Sequence, residues 1–281
     1  AWEGGDPGLF FLDNHNKWVP TPWLGAVVAT NPCGEEPLYP YESCNLGSIA
    51  VEKYVREGRF DVDAFARDVA TAVDGLDAVI DYNRQPDERQ DLVNKFTRKV
   101  GLGIMGLADA LARLNLPYDS DEAVAFTLAV TALLEAVAWR RSWELGARLG
   151  HAPAFECRRF DWRSLRCEEA ASPEETVELL TPALLKASEV ARFEDGYLAV
   201  KYHDVRLNDY VLGQLEGETA RRVRPDGTVL LVRREALERV LREVFGVTEE
   251  TLREAESMAP QELVRSPRHM LAMAIYEPAR L

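Results

Sequence analysis

The chain has 281 residues, of which 47% are hydrophobic and 28% are charged, so it can form one large globular domain or two smaller ones. Its formal net charge of -14 argues against sequence-independent binding to nucleic acid or to an anionic membrane. We find no apolar run of the roughly 18 residues that a membrane span needs, no secretory signal, and too few cysteines for a disulfide scaffold. We therefore expect a cytoplasmic protein whose partners include no nucleic acid and no membrane.

The first half of the chain shows strand and helix patterns in alternation. In chain order the predicted elements are a buried strand over 8–13, a loop over 14–25, a strand over 46–55, a helix over 62–83, a strand, glycine turn and helix over 98–114, and a long helix over 120–149. Asp61 or Asp63 can cap the helix over 62–83, and Ser120 or Asp121 can cap the long helix, which Gly150 ends.

The character of the sequence changes near residue 155, where a polar and irregular stretch begins. We predict a boundary there. The elements predicted beyond it are a strand over 193–202, a hairpin over 221–232 with its turn at Asp226-Gly227, and helices over 233–245 and 248–258. We find no motif for a chemical reaction in this half.

The stretch NPCGE, residues 31–35, carries the first of the four cysteines. Pro32 removes a backbone donor and Gly34 permits unusual backbone angles, so we expect an extended or looped backbone. In an extended chain alternate side chains share a side, which predicts that Asn31, Cys33 and Glu35 converge.

This trio of an amide, a thiol and a carboxylate suggests radical chemistry. The Glu35 carboxylate disfavours a thiolate by charge repulsion, and a protonated thiol is a poor nucleophile but a good hydrogen-atom donor. Glu35 would then act as a separate acid or base, and Asn31 would orient the substrate. Two alternatives stay open: Cys33 and Cys44 can be structural thiols of a buried core, or they can belong to a metal site, although their spacing fits no common zinc pattern.

The stretch NPCGEEPLYPYESCNLGSI, residues 31–49, resembles the finger-loop signature of ribonucleotide reductase catalytic subunits. Its form is most similar to the adenosylcobalamin-dependent class II enzymes, and the stretches 2–16, 77–83 and 98–111 agree with the family in order and spacing. The resemblance covers about residues 1–155. It implies an α/β fold that is part of the family's ten-stranded α/β barrel with a central finger loop, and it leaves 156–281 as a smaller α+β segment of unknown type.

The resemblance also implies a role for each residue of the site. Cys33 matches the cysteine whose thiyl radical takes the 3'-hydrogen of the ribose, and Glu35 matches the base that deprotonates the 3'-hydroxyl. Asn31 matches the residue that hydrogen-bonds the sugar. Cys44 matches one of the two cysteines that reduce the 2'-position and end as a disulfide.

The implied activity is that of a class II-like ribonucleoside-phosphate reductase. It would convert ribonucleoside di- or triphosphates to 2'-deoxyribonucleotides with adenosylcobalamin, no metal-ligating side chains and a thioredoxin-like reductant. The family's second reducing cysteine and its phosphate-binding loop have no counterpart here. We therefore expect a fragment or split piece that works with the remainder of the catalytic subunit. The alternative is a catalytically incomplete relative that serves as a structural or partner-binding module.

Two weaker motifs have competing interpretations. Gly101, Gly103 and Gly106 can form a phosphate cradle, but their pattern lacks the usual lysine and favours close packing of a strand and a helix. The four histidines, at 15, 151, 203 and 269, are scattered, which favours surface roles over metal ligation.

Overall fold

The computed structural model describes residues 2–6, 8–17, 19, 21–172, 175, 191–201, 208–263 and 265–276. Its helices are Leu12–Asn16 (α1), Val62–Tyr82 (α2), Glu88–Thr97 (α3), Leu107–Arg113 (α4), Asp121–Leu149 (α5), Asp209–Gly213 (α6), Gly217–Arg222 (α7), Arg234–Glu243 (α8), Glu249–Ser257 (α9), Pro260–Leu263 (α10) and Pro267–Tyr276 (α11). Its strands are Ala29–Thr30 (β1), Pro37–Leu38 (β2), Asn45–Ala50 (β3), Val55–Arg56 (β4), Arg59–Phe60 (β5), Val100–Met105 (β6), Cys157–Asp161 (β7), Arg166–Ala170 (β8), Ala191–Glu194 (β9), Tyr197–Lys201 (β10) and Thr228–Arg233 (β11).

The sheets that these strands form are small and open. Strands pair as β1–β2, β3–β6, β4–β5 and β7–β8, and one three-stranded sheet has the order β11-β10-β9. The chain is therefore a mixture of helices and strands, as predicted, but the described strands do not close into a barrel.

The chain divides into two compact units, each made of discontinuous segments. The first comprises Ala1–Ser48, Thr71–Gly103 and Arg141–Leu184, and the second comprises Ile49–Ala70, Ile104–Arg140 and Leu185–Leu281. The boundary that we place near residue 155 from the sequence remains a prediction.

The core of the first unit joins its N-terminal loops to the β7–β8 hairpin. Its buried residues are Leu24, Val27, Tyr39, Val93, Phe96, Ala154, Cys157, Phe160 and Leu165. The rings of Phe96 and Phe160 stack with their centroids 4.3 Å apart, and the Trp162 indole N–H donates to the Leu24 carbonyl at 2.6 Å. Such aromatic contacts add to the free energy gained from the buried area itself.

The strand predicted over residues 8–13 is wrong. Leu9 and Phe11 are exposed, and the helix α1 begins at Leu12. A short apolar run forms a strand only when a neighbouring strand offers backbone partners, and none of the described strands does so here. The segment is instead held by Asn16, whose side chain accepts from the Val27 N–H at 2.8 Å and donates to the Val27 carbonyl at 3.2 Å.

The two long helices are confirmed almost to the residue. The Asp61 carboxylate accepts from the Ala64 N–H at 3.0 Å, which caps α2, and the Ser120 hydroxyl accepts from the Ala123 N–H at 3.1 Å, which caps α5. Gly150 ends α5 with a φ of 97°, a left-handed conformation that suits glycine. The strand, glycine turn and helix predicted over 98–114 also form, as β6, Gly106 and α4.

From the sequence we find no apolar run long enough for a membrane span, but the length and composition of helix α5 would allow it to cross a membrane. The core helix of a soluble protein passes the same test. Phe126, Val130, Leu133 and Val137 are fully buried at helical spacing along one stripe, which is the pattern of a core helix.

The second unit shows two corrections to the predicted strands. The single strand predicted over 193–202 is a hairpin, because Asp195 and Gly196 both adopt positive φ and turn β9 back onto β10. The hairpin predicted over 221–232 is only half formed. Its turn at Asp226-Gly227 forms, with Val223 bridging Val229, but residues 221–222 end α7 and the full length of β11 pairs with β10. The helices predicted over 233–245 and 248–258 are confirmed as α8 and α9.

Candidate active site around Cys33 and Cys44

Cys33 lies on the loop that joins β1 to β2. These strands pair antiparallel with Thr30 opposite Pro37, so residues 31–36 form the tip of a hairpin. The Gly34 N–H donates to the Asn31 carbonyl at 3.0 Å, which closes a turn with Pro32 and Cys33 at its centre. Proline suits the first central position because its φ is fixed, and the turn leaves Cys33 exposed and unbonded.

This turn differs from the extended backbone on which the alternation argument depends. Gly34 has a φ of 83°, so side chains on either side of it do not follow the strand rule. Asn31, Cys33 and Glu35 do share one short loop. The convergence of their side chains on one substrate remains a prediction.

Asn31 holds the loop closed. Its side-chain oxygen accepts from the Glu36 N–H at 3.0 Å, and its own N–H donates to the Glu36 carbonyl at 3.3 Å. These two bonds tie the first and last residues of the loop together. They leave the amide NH₂ as the end of the Asn31 side chain that can donate to a substrate hydroxyl.

Cys44 immediately precedes β3 and is half-buried. It forms no disulfide with Cys33, since both are free thiols. Burial raises the pKa of the Cys44 thiol, and the nearby Glu36 carboxylate raises it further, while Lys99 opposes both effects. Cys44 is thus held as a protonated thiol near neutral pH.

A cluster of three charged side chains, Glu36, Glu42 and Lys99, connects the end of the loop to the segment before Cys44. The Lys99 ammonium donates to the Glu42 carboxylate at 2.9 Å and to the Pro37 carbonyl at 2.8 Å, and it lies 3.7 Å from the Glu36 carboxylate. The Glu42 side chain is fully buried and also accepts from the Tyr39 N–H at 2.8 Å. Burial raises the pKa of Glu36, and Lys99 opposes this shift.

Tyr39 fixes the chain just after β2. Its hydroxyl donates to the Thr21 carbonyl at 2.8 Å, and its ring stacks on Trp162 with centroids 5.0 Å apart. Burial raises the pKa of Tyr39 to about 12. The hydroxyl therefore stays protonated and keeps its hydrogen bond throughout the range in which enzymes work.

A small polar cavity of about 10 Å³ borders the residues on both sides of Cys44. Its lining comprises Ser43, Asn45, Ile80, Asn83, Gln85, Asp91, Asn94 and Lys99. The buried Asn94 side chain accepts from the Ser43 N–H at 2.8 Å, which anchors this segment to α3. A cavity of this size holds about one water molecule.

Two glycines of the GLGIMG stretch, Gly101 and Gly106, have close neighbours, which agrees with the packing role that the sequence favours. A methyl group on Gly101 would lie 2.7 Å from a methyl carbon of Leu46 on the paired strand β3, so a larger residue there would require the Leu46 side chain to move. Gly106 has a φ of 72°, and the Glu52 carboxylate packs against it. A carboxylate at this position would repel a phosphate. Among the described residues, no group of three or more His, Cys, Asp or Glu could hold a metal ion.

The remaining two cysteines are bonded to each other. Cys157 and Cys167 form a disulfide across the β7–β8 hairpin. The polar sequence of this region predicts an irregular stretch, but it forms an ordered hairpin. Sequence reasoning also missed Lys99, Glu42 and Glu36, because charged residues that are distant in sequence show no periodic signal. The only available hint for Lys99 was its place directly before a strand within a motif-rich segment.

Comparison with known proteins decides the family. A family model described as "Ribonucleotide reductase, barrel domain" matches residues 1–195. The chain belongs to the ribonucleotide reductase barrel-domain family. The resemblance of the finger-loop stretch is thereby confirmed.

Curated ribonucleotide reductases match the same region. The vitamin B12-dependent ribonucleoside-diphosphate reductase of Mycobacterium tuberculosis is 47% identical over 160 residues, which are 57% of this chain and 23% of that protein. The protein of the same name from Thermoplasma acidophilum is 46% identical over 156 residues, 55% of this chain and 20% of that protein. The ribonucleoside-diphosphate reductase large chain of Encephalitozoon cuniculi is 33% identical over 160 residues, 55% of this chain and 21% of that protein. The chain thus matches less than a quarter of the length of each of these relatives.

Proposed function

We propose that the chain supplies the radical-bearing portion of a class II-like ribonucleotide reductase, as a piece of its catalytic subunit. The observation that carries this proposal is the exposed, unbonded Cys33 at the tip of a closed hairpin loop, with the unbonded Cys44 in the same unit. The loop's bonds hold Asn31 and Glu36 together, which limits the freedom of the thiol between them.

Each residue has a defined task in the proposed reaction. The Cys33 thiyl radical takes the 3'-hydrogen atom of the ribose, and Glu35 takes the proton of the 3'-hydroxyl. The Asn31 amide donates to a sugar hydroxyl. The 2'-hydroxyl leaves as water, the 2'-carbon receives two electrons from two thiols, and those thiols become a disulfide. At the end of the cycle the 3'-position regains its hydrogen atom from Cys33.

Cys44 is the proposed donor of one of those two thiols. Its raised pKa suits this task, because a protonated thiol brings the proton that the leaving hydroxyl needs as well as an electron. Among the described cysteines, the other two already form a disulfide in the β7–β8 hairpin. The second reducing thiol is therefore assigned to the remainder of the catalytic subunit.

We infer adenosylcobalamin as the cofactor of the complete enzyme, because curated relatives are named as vitamin B12-dependent. It would supply the radical that activates Cys33. The cavity beside Cys44 does not fit it, because that cavity holds about one water molecule, far less than a corrin ring requires. We assign the cofactor's site to other parts of the enzyme and derive no step through it.

The same proposal extends to fold, partners and location. The chain would contribute part of a ten-stranded α/β barrel whose finger loop is the β1–β2 hairpin. Its substrate would be a ribonucleoside di- or triphosphate, its reductant a thioredoxin-like protein, and its location the cytoplasm. Assembly with the rest of the subunit would complete the barrel.

The proposal is tested with the chain assembled with the rest of its catalytic subunit. We expect release of tritium from a 3'-labelled ribonucleotide and formation of deoxyribonucleotide in the unaltered enzyme. Cys33→Ser should abolish both, because an O–H is much harder to activate than an S–H. Cys44→Ser should keep tritium release but stop deoxyribonucleotide formation.

The paired variant Cys157→Ser/Cys167→Ser serves as the control, since those thiols have no role in the proposed reaction. Full deoxyribonucleotide formation by Cys33→Ser would exclude the assignment. The alternative function, a structural or partner-binding module, predicts assembly with the subunit but no tritium release in any variant.

A further inference from the structure

Lys99 connects the two cysteine-bearing segments of the first unit. Its ammonium group donates to the carbonyl of Pro37, which follows the Cys33 loop, and to the carboxylate of Glu42, which lies two residues before Cys44. The ammonium group has three N–H donors. Two of them make these hydrogen bonds, and the Glu36 carboxylate lies 3.7 Å from the nitrogen. The Lys99 side chain is only 19% exposed, so water competes weakly for these contacts.

From this arrangement we infer that Lys99 is a positioning residue for Cys44: it ties the Cys44 segment to the Cys33 loop and supplies the positive charge that offsets the surrounding carboxylates. The inference rests on the proposed function for its meaning in catalysis. Its physical content, the effect of Lys99 on Cys44, depends on the contacts of Lys99 with Pro37 and Glu42 and on the charges around the thiol.

The charges around Cys44 determine whether removal of Lys99 makes the thiol easier or harder to deprotonate. The carboxylates that act on the thiol are Glu36, Glu35 and Glu42, and each of them disfavours a thiolate. Lys99 supplies the positive charge that opposes them and lowers the pKa of the thiol. Its removal should therefore leave the thiol among uncompensated negative charges and make its deprotonation harder.

The buried carboxylate of Glu42 depends on Lys99 for its ion pair. Glu42 is buried, and its second carboxylate oxygen has no hydrogen-bond partner among the described residues. Without Lys99 its charge would be buried and unpaired, which is strongly destabilising. A test must therefore separate loss of the positive charge from local unfolding.

The experiment measures alkylation of Cys44 by iodoacetamide between pH 6 and 10 in the full chain, with each cysteine resolved by peptide mass spectrometry. Because the thiolate is the reactive form, the rate reports the fraction of deprotonated Cys44. For Lys99→Met we expect the rate at pH 8 to fall about tenfold, the change that follows from a pKa raised by about one unit. Lys99→Arg should restore the rate to within about threefold of the unaltered chain.

Two comparisons keep the result interpretable. Lys99→Met/Glu42→Gln removes both buried charges, so it should stay folded and show a rate between those of Lys99→Met and the unaltered chain. The exposed Cys33 serves as an internal reference whose rate should change less than that of Cys44. Faster alkylation of Cys44 in both variants, or an unchanged rate in a folded Lys99→Met chain, would overturn the inference.

The readout does not depend on nucleotide reduction. If the alkylation result holds while the assembled enzyme shows no turnover, the proposed function fails and the role of Lys99 at Cys44 stands. If turnover is normal but alkylation is unaffected by Lys99→Met, this inference fails alone.

Discussion

The side-chain oxygen of Asn31 accepts a hydrogen bond from the backbone N–H of Glu36 at 3.0 Å, and this bond spans the loop that carries Cys33. An aspartate at position 31 can accept the same bond but cannot donate to a substrate hydroxyl. We therefore expect Asn31→Asp to keep the stability of the chain while kcat/KM of the assembled enzyme falls about 10- to 100-fold. Asn31→Ala should lower both stability and kcat/KM, because alanine makes neither hydrogen bond. The expected cost in stability is about 1 kcal/mol.

Urea denaturation and steady-state kinetics measure these two effects separately. Asn14→Asp, at an exposed position in α1 with an ordinary backbone conformation, is the matched control and should change neither. Equal kcat/KM for Asn31→Asp and the unaltered enzyme would show that the amide group does not donate to the substrate.

The thiol content of the chain should depend on reductant. We expect two reactive thiols, Cys33 and Cys44, in the chain unfolded without reductant, and four after reduction, because Cys157 and Cys167 are bonded. Thiol titration with peptide mapping measures this. A peptide that links Cys33 to Cys44 would contradict the proposed radical role.

Reduction of the disulfide should also lower stability. The bond closes a short loop across the β7–β8 hairpin, and a loop of this length is worth about 2–3 kcal/mol in the unfolded chain. Urea denaturation with and without dithiothreitol should show this difference. It should be absent in Cys157→Ala/Cys167→Ala, which has no disulfide to reduce.

Asp121 should contribute a pH-dependent part of the stability of the second unit. Burial raises its pKa, but hydrogen bonds from Arg233 and Arg222 lower it by more, so its pKa lies below the usual value. A lowered pKa means that the contribution is present above about pH 4 and is lost as the pH falls through the folded-state value. Asp121→Asn should cost about 1–3 kcal/mol at pH 7 and much less near pH 3.

Urea denaturation at both pH values, with Asp119→Asn as the control, checks this prediction. Asp119 lies two residues earlier and is exposed, so its substitution should have little effect at either pH. A cost for Asp121→Asn that is equal at pH 7 and pH 3 would show that the Asp121 charge does not stabilise the fold.

The chain on its own should not reduce ribonucleotides. Only Cys44 is available as a reducing thiol beside Cys33, and two thiols are needed for each turnover. The sequence shows no counterpart of the family's phosphate-binding loop, and misplacement of a substrate by about 1 Å costs on the order of 100-fold in rate. Incubation with adenosylcobalamin, dithiol and labelled nucleotide tests this. Turnover by the chain alone would place the second thiol at Cys157 or Cys167.

Local patterns in the sequence carried most of the successful predictions. The helix α2 follows from apolar residues at helical spacing behind Asp61, and α5 follows from a longer run between Ser120 and Gly150. The strand before Gly106 and the helix after it follow from the same kind of evidence. Each of these elements depends on interactions between residues that are close in the chain, and a single sequence shows such residues directly.

The failures depend on partners that are distant in the chain. Residues 8–11 look like a strand, but none of the strands in the described part of the chain pairs with them. The polar β7–β8 hairpin is held by a disulfide and by Phe160. At the site, the residue types of the Cys33 loop were recognisable from its motif. The contact of Lys99 with Glu42, 57 residues away, has no counterpart in any local pattern.

The packing of the β7–β8 hairpin has a practical consequence for how the chain can be shortened. Phe160 and Trp162 stack on Phe96 and Tyr39, so a protein cut at residue 155 would present those two rings to water. Tyr39 sits at the end of the strand that leaves the Cys33 loop, and its Trp162 neighbour would be gone. A shortened protein meant for crystallisation or labelling of Cys33 should therefore keep the hairpin through Ala170.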